Sequence, residues 1–131
     1  MDKCTALFSL IVILHFFSDW ALQTKSIARN KSKTYEYMLF HGAIVHTVFS
    51  VFAYFMDIPQ TLVFLNTATH MGIDSVLWRG YIQVATLKGK TTDFYLEHNK
   101  YADDYWFYFC IAVDQTVHIV ILFFLFGSYL Y

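Results

Sequence analysis

Charged residues, cysteine and proline are all scarce in this chain of 131 residues. Aspartate, glutamate, lysine and arginine together make up 15% of it, whereas 57% of the residues are hydrophobic. This composition is too apolar for a soluble fold of such length, so we expect the lipid bilayer to be both the solvent and a partner. The net charge of −1 argues against a surface that binds nucleic acid directly, and we expect no such contact.

The two cysteines indicate neither a disulfide framework nor a thiolate metal site. Cys4 and Cys110 both lie in apolar segments and show no metal-type spacing. The sequence also lacks repeats and low-complexity tracts, and nothing in it marks a second domain. We therefore expect a single domain over residues 1–131.

The hydropathy pattern predicts an all-α fold, a four-helix transmembrane bundle with short loops. The third helix is the most polar, because it carries Asn66, His70 and Asp74, and it would be stable in a membrane only by facing its neighbours. A tight turn is expected at residues 57–59, which contain the only proline. The predicted helices cover residues 4–23, 35–56, 60–84 and 103–129.

The basic residues predict the orientation of the bundle. Seven of them lie in the connections between helices one and two and between helices three and four, and Arg79 lies near that end, whereas only Lys3 lies at the opposite end. By the positive-inside rule, loops 24–34 and 85–102 should be cytoplasmic in a multi-pass protein of the inner membrane. The first helix has no small-residue cleavage site, so we expect it to be retained. The loop residues are Lys25, Arg29, Lys31, Lys33, Lys88, Lys90 and Lys100.

Six ionisable residues inside the apolar stretches form three pairs with a spacing of four residues. On a helix, this spacing places both side chains on one face, about one turn apart. An ionisable group in hydrocarbon costs several kcal/mol unless it has a partner, so such groups mark candidate functional sites. At about 1.5 Å of rise per residue, all six and His41 fall within about 21 Å of the cytoplasmic end, which is compatible with one cluster. The pairs are His15 with Asp19, His70 with Asp74, and Asp114 with His118.

Imidazoles and carboxylates from several helices are a ligand set that suits a divalent metal, with zinc as the first choice and manganese or iron as alternatives. Amide side chains nearby would orient those ligands by hydrogen bonds. The predicted ligands are His15, Asp19, His41, His70, Asp74, Asp114 and His118, and the predicted orienting residues are Gln23, Asn66 and Gln115. By contrast, His46 is off the face of His41 and is expected to be a packed neutral histidine, and His98 is expected to be solvated.

The order of these motifs resembles that of a bacterial and phage membrane family catalogued as domain of unknown function 3307. The resemblance spans almost the whole chain. It implies a small polytopic membrane protein whose polar residues look like metal ligands, and it implies no particular reaction. In chain order, the motifs are His15-x3-Asp19-x3-Gln23, a basic linker, His41, His70-x3-Asp74 and Asp114-Gln115-x2-His118.

One function open to such a site is hydrolysis. A metal with an open coordination position makes water a nucleophile near neutral pH, and the substrate would be a lipid, a lipid phosphate or another amphipathic molecule at the cytoplasmic leaflet. Asp19 or Asp74 would then serve as the general base. The chain has no glycine-rich phosphate loop, nucleophile elbow or HExxH motif that would identify the reaction.

Two alternatives remain open on the sequence. The cluster can be a structural polar core of an accessory or scaffold protein that self-associates into a homo-oligomer and binds a partner protein through its cytoplasmic basic loops. It can also be an Asp–His relay for protons or ions. The relay is the weaker alternative, because four short helices form no pore without oligomerisation and no segment carries a GxxxG packing face.

Overall fold

The computed structural model describes residues 3–31, 33–87 and 105–130, and within these ranges it contains helices and no β-strand. The predicted helical bundle is confirmed. When the π-helical turn is counted with the first helix, the bounds of the long helices differ from the predicted ones by three residues or fewer. The elements are α1 (Lys3–Phe16), a π-helical turn (Phe17–Ala21) that continues it, α2 (Lys25–Asn30), α3 (Tyr35–Phe55), α4 (Gln60–Leu87) and α5 (Tyr105–Leu130).

The sequence predicts a loop between the first two long helices. In the structure this connection also contains the short helix α2. Thr24 caps its amino terminus, because its hydroxyl oxygen accepts a hydrogen bond from the Ile27 backbone N–H at 3.2 Å. At the other connection, residues 85–87 belong to α4. The remainder of the predicted loop 85–102, including His98, lies outside the described residues.

The predicted turn after α3 is confirmed and takes the form of a helix C-cap with a left-handed residue. Asp57 has φ 54°, a conformation that aspartate tolerates better than most residues. The backbone N–H of Ile58 donates to the carbonyl of Ala53 at 2.9 Å, which satisfies one of the last carbonyls of the helix. Ile58 is itself buried, so the chain reverses tightly before α4 begins.

Packing divides the bundle into an apolar half and a polar half. α4 packs against α3 and α5, and α1 packs against both α5 and α3. The apolar core lies in the half near the α3–α4 turn, since it draws on the end of α3, the start of α4 and the end of α5. Its buried residues are Ile11, Val45, Phe49, Phe52, Ala53, Ile58, Val63, Leu122 and Phe126.

The outer surface indicates a membrane protein. Among the described residues, three stretches are long and apolar enough to cross a membrane, namely Lys3–Ala21, Tyr35–Phe55 and Tyr108–Gly127. Large apolar side chains such as Ile13, Phe40 and Phe124 point outward and are 62%, 64% and 74% exposed. A surface with so much exposed hydrocarbon is suited to lipid and not to water.

Candidate metal centre

All seven predicted ligands are buried in the polar half of the bundle, and none is more than 3% exposed. Their donor atoms fall into three overlapping groups, and within each group every donor atom lies within 4.8 Å of the others. The groups are Asp19 with His41, His70 and Asp74; His15 with His70 and His118; and Asp74 with Asp114 and His118. The expected convergence therefore occurs, but as linked subsites that share His70, Asp74 and His118.

Asp19 reaches the cluster from a π-helical turn that the sequence pattern did not predict. The Leu22 backbone N–H donates to the Phe17 carbonyl, five residues earlier, and the Ser18 hydroxyl donates to the His15 carbonyl at 3.0 Å. Such widened turns are rare and occur often at functional sites. Here the turn leaves both His15 and Asp19 buried in the bundle.

A close approach of α3 and α4 brings His41 and His70 together. Gly42 is buried, and a Cβ atom added to it would lie against the side chain of Met71, which would have to move to make room. His41 directly precedes Gly42 on α3, and His70 directly precedes Met71 on α4. The Nε2 atoms of the two histidines are 2.9 Å apart.

Four donor atoms surround one point between the π-helical turn, α3 and α4. The His41 Nε2 atom lies 3.2 Å from Asp19 Oδ1 and 3.1 Å from Asp74 Oδ2. The His70 Nε2 atom lies 3.6 and 3.7 Å from the same two oxygens. Ligands bound tetrahedrally at about 2.0–2.1 Å would be about 3.3–3.4 Å apart, so these four donors could hold a metal ion.

Hydrogen bonds among these four residues alone do not account for so compact an arrangement, and the Lys31 ammonium lies against three of the four donor atoms. The His41 Nε2 atom faces another imidazole nitrogen and two carboxylate oxygens, yet it carries at most one proton and can direct it well to one acceptor only. A cation placed between the four donors would contact all of them at once.

His15, Asp114 and His118 lie beside this group of four. The rings of His70 and His118 stack with centroids 4.1 Å apart, and the His15 ring centroid lies 5.0 Å from that of His118. The Asp114 Oδ2 atom is 3.8 Å from His118 Nδ1, one turn along α5, which is beyond hydrogen-bond distance.

The three amides predicted to orient the ligands differ in their positions. Gln115 donates from Nε2 to Asp19 Oδ2 at 2.9 Å and to Asp114 Oδ2 at 3.0 Å, so it links two carboxylates of the cluster. Gln23 Oε1 and Asn66 Nδ2 are buried but have no hydrogen-bond partner among the described residues. His46 contacts the Thr67 hydroxyl at 3.2 Å and belongs to none of the three donor groups, as expected of a packed histidine.

Lys31 is the residue of the site that sequence analysis missed. The sequence pattern predicts only that Lys31, like the other basic residues of the linker, helps to orient the protein in the membrane. In the structure its side chain enters the bundle, and the residue is only 7% exposed. Its Nζ atom lies 2.8 Å from Asp74 Oδ2, 3.2 Å from Asp19 Oδ1 and 3.5 Å from His41 Nε2. The sequence signal that could have pointed to such a lysine is charge balance, since two carboxylates in apolar helices require a nearby cation.

The ammonium of Lys31 stays charged at neutral pH. Burial alone would lower the pKa of this group, but the carboxylates of Asp74 and Asp19 outweigh burial and hold the pKa above its usual range. Because the folded pKa is higher than the unfolded one, the interaction stabilises the fold fully below the unfolded pKa of lysine. This stabilisation is lost only as the pH rises through the raised folded pKa.

Comparison with known proteins identifies the family. The chain belongs to the family described as protein of unknown function (DUF3307), which matches residues 7–130 and thus includes every residue of the cluster. This confirms the resemblance inferred from the motifs. No curated protein and no solved structure matches the chain.

Lys31→Met tests the role of the buried ammonium in metal-free protein. Because two buried carboxylates would lose their cation, we expect a loss of about 3–5 kcal/mol of stability. Lys33→Met is the matched control, since Lys33 is exposed two residues away, and we expect it to be neutral. Unfolding in detergent after treatment with a chelator measures both. Equal stability of the two variants would contradict the assigned role of Lys31.

Proposed function

We propose that this member of the family binds a divalent metal ion inside its helical bundle through Asp19, His41, His70 and Asp74. Zinc is the first choice, and manganese and iron are the alternatives. The observation that carries the proposal is the convergence of two imidazole nitrogens and two carboxylate oxygens with separations of 2.9–3.7 Å. Nitrogen and oxygen donors of this kind suit all three metals.

The donor set favours catalysis over a purely structural metal site. Structural zinc sites use mostly cysteine, whereas catalytic zinc sites combine histidine with carboxylate. Here the donors are histidine and aspartate, and Cys4 and Cys110 are not in any of the donor groups found among the described residues. We therefore propose a metal-dependent hydrolase of the membrane.

The residues of the site divide the work of such a reaction. The metal, when bound, supplies Lewis acidity and makes water a nucleophile near neutral pH. Asp74 is the better candidate for the general base, because its Oδ1 atom is buried and has no hydrogen-bond partner in the described part of the chain. Both Asp19 oxygens have partners, since Oδ2 accepts from Gln115 and Oδ1 accepts from Lys31. Gln115 and Lys31 thereby hold Asp19 in position.

An amphipathic substrate fits the surroundings of the site. Two apolar grooves of about 420 Å³ each run along the α4–α5 side of the bundle, one of them between Gly80 on α4 and Phe109 on α5. Their apolar linings suit an acyl chain. The proposed substrate is therefore a lipid or lipid phosphate at the cytoplasmic leaflet, with its chain in such a groove.

The proposed topology has four spans, with α4 as the fourth. α4 has 28 residues, which is long enough to cross a bilayer, and it buries Asn66, His70 and Asp74 against its neighbours. Both termini would then lie on one side of the inner membrane. Loops 24–34 and 85–102 would lie on the cytoplasmic side, where the proposed substrate is met.

Accessibility of single cysteines in intact cells tests this topology. In a background without Cys4 and Cys110, we expect Thr34→Cys and Thr91→Cys to react only after the inner membrane is permeabilised, because basic loops stay in the cytoplasm. Gln60→Cys, next to the turn at the opposite end, should react from outside. Labelling of Thr34→Cys and Thr91→Cys from opposite sides would rule out the four-span arrangement.

Asp74→Asn tests metal binding. The substitution removes a ligand charge with little change in volume, so we expect metal affinity to fall by about 10-fold or more while the bundle still inserts. Asp57→Asn is the matched control, because Asp57 is exposed in the α3–α4 turn and should leave the affinity unchanged. Metal titration of the purified proteins gives both values. If Asp74→Asn and Asp57→Asn bind the metal alike, Asp74 is not a ligand.

Hydrolysis is tested with a pair of histidine variants. We expect purified protein loaded with zinc to hydrolyse a fluorogenic lipid phosphate in mixed micelles, and we expect a chelator to abolish this activity. His41→Ala should abolish it too, because His41 is a proposed ligand, whereas His46→Ala should retain it. Activity that survives both the chelator and His41→Ala would exclude this centre as its source.

A structural polar core is the second candidate function, and Lys31 favours it. The ammonium lies against both Asp19 and Asp74, so these two carboxylates have a partner cation even without a metal. The protein would then be an accessory scaffold that forms a homo-oligomer and binds a partner protein through its cytoplasmic loops. In that case neither the wild type nor Asp74→Asn would bind metal. The substitution would affect assembly only mildly, since asparagine can still form hydrogen bonds.

A further inference from the structure

We infer that the cluster holds a second divalent metal position next to the first, formed by Asp114, His118 and Asp74, with Asp74 bridging the two ions. This inference rests on the proposed function, because the two positions share Asp74. The site would then hold two ions instead of one, and such a centre suits an anionic substrate.

The three donors of this second position converge from two helices. Asp114 and His118 lie one turn apart on α5, and Asp74 faces them from α4. Their donor atoms all lie within 4.8 Å of one another. The residues are 2%, 3% and 0% exposed, so water cannot easily solvate them.

Polar atoms without partners at this position indicate a missing ligand. Asp114 Oδ1, His118 Nδ1 and Asp74 Oδ1 are all buried, and the described residues provide no hydrogen bond to any of them. A buried polar atom left without a partner has a free-energy cost, because it has lost its hydrogen bonds to water. Lys31 does not remove this cost, since its ammonium contacts Asp74 through the other oxygen, Oδ2. A cation held by the three residues would provide a partner for buried polar atoms of this kind.

His15 lies beside the second position, next to His118. Its Nε2 atom is buried without a hydrogen-bond partner among the described residues. Its donor atom also lies within 4.8 Å of the donor atom of His118. The sequence contains these ligands as pairs spaced by four residues, and the structure explains why three pairs are present: one metal needs only four donors, and two ions use the remainder.

Charge balance then favours an anionic substrate. Asp19, Asp74 and Asp114 provide three negative charges if all are ionised, and Lys31 provides one positive charge. One divalent ion would neutralise the site, whereas two leave it with an excess of positive charge that would attract a phosphate. Two ions about 3.5–4 Å apart are also the arrangement that stabilises the attacking and leaving oxygens of a phosphate ester.

The reaction that fits this centre is hydrolysis of an anionic lipid phosphate. The oxygen of a water molecule forms a bond to phosphorus, and the ester bond between phosphorus and the lipid oxygen breaks. One proton of the water goes to the departing lipid oxygen, which leaves as the alcohol, and inorganic phosphate is the second product. No oxidant, reductant or further reactant is required.

Metal stoichiometry of the purified full-length protein tests the second position. After saturation with Mn²⁺ and removal of excess ion, we expect about two ions per chain in the wild type and about one in Asp114→Asn and in His118→Ala. Asp57→Asn and His46→Ala are the matched controls and should keep the wild-type value. Electron paramagnetic resonance provides a second measurement, because two neighbouring Mn²⁺ ions give an exchange-coupled signal. Asp114→Asn should convert that signal to the one of an isolated ion.

The outcomes separate this inference from the proposed function. One ion per chain in the wild type, unchanged in Asp114→Asn, would overturn the second position and leave the first intact. Two ions that both remain in Asp114→Asn and His118→Ala would overturn the assignment of these ligands. A wild type that binds no ion would overturn both proposals.

Discussion

Burial of charge is the constraint on which the rest of this structure depends. Asp19 and Asp74 lie in a helical bundle whose outer surface is suited to lipid, and each is at most 1% exposed. An isolated carboxylate in such a place would be several kcal/mol too costly, so it must face a cation or a set of donors. Lys31 provides one cation, and the arrangement of His41 and His70 around the same oxygens indicates a place for another.

The backbone is adapted to this constraint at three places. The π-helical turn at Phe17–Ala21 carries Asp19, Gly42 on α3 lies against the Met71 side chain of α4, and the short helix α2 ends where Lys31 enters the bundle. None of these three features lies among the buried residues of the apolar core near the α3–α4 turn. The apolar half of the bundle thus provides packing. In the polar half, irregular backbone geometry accompanies the convergence of the polar groups.

The elements that follow from local periodicity could be predicted from the sequence, and those that follow from tertiary contacts could not. The helices and the turn at Asp57 have their own signals, namely long apolar stretches and a single proline. The spacing of His70 and Asp74 likewise placed both on one helix face. Lys31 lies in a linker with three other basic residues, and nothing in its neighbourhood separates it from them. Only the fold shows which of these basic side chains reaches the carboxylates, and only the fold divides the seven predicted ligands into linked subsites.

X-ray absorption spectroscopy at the zinc edge is the most direct test of whether Asp19, His41, His70 and Asp74 bind a metal ion. We expect a first shell of nitrogen and oxygen at about 2.0–2.1 Å, with the outer scattering that imidazole rings produce. His41→Ala should weaken this imidazole signal, whereas His46→Ala should leave it unchanged. A sulfur shell at about 2.3 Å, or the same spectrum for wild type and His41→Ala, would contradict the proposed metal site.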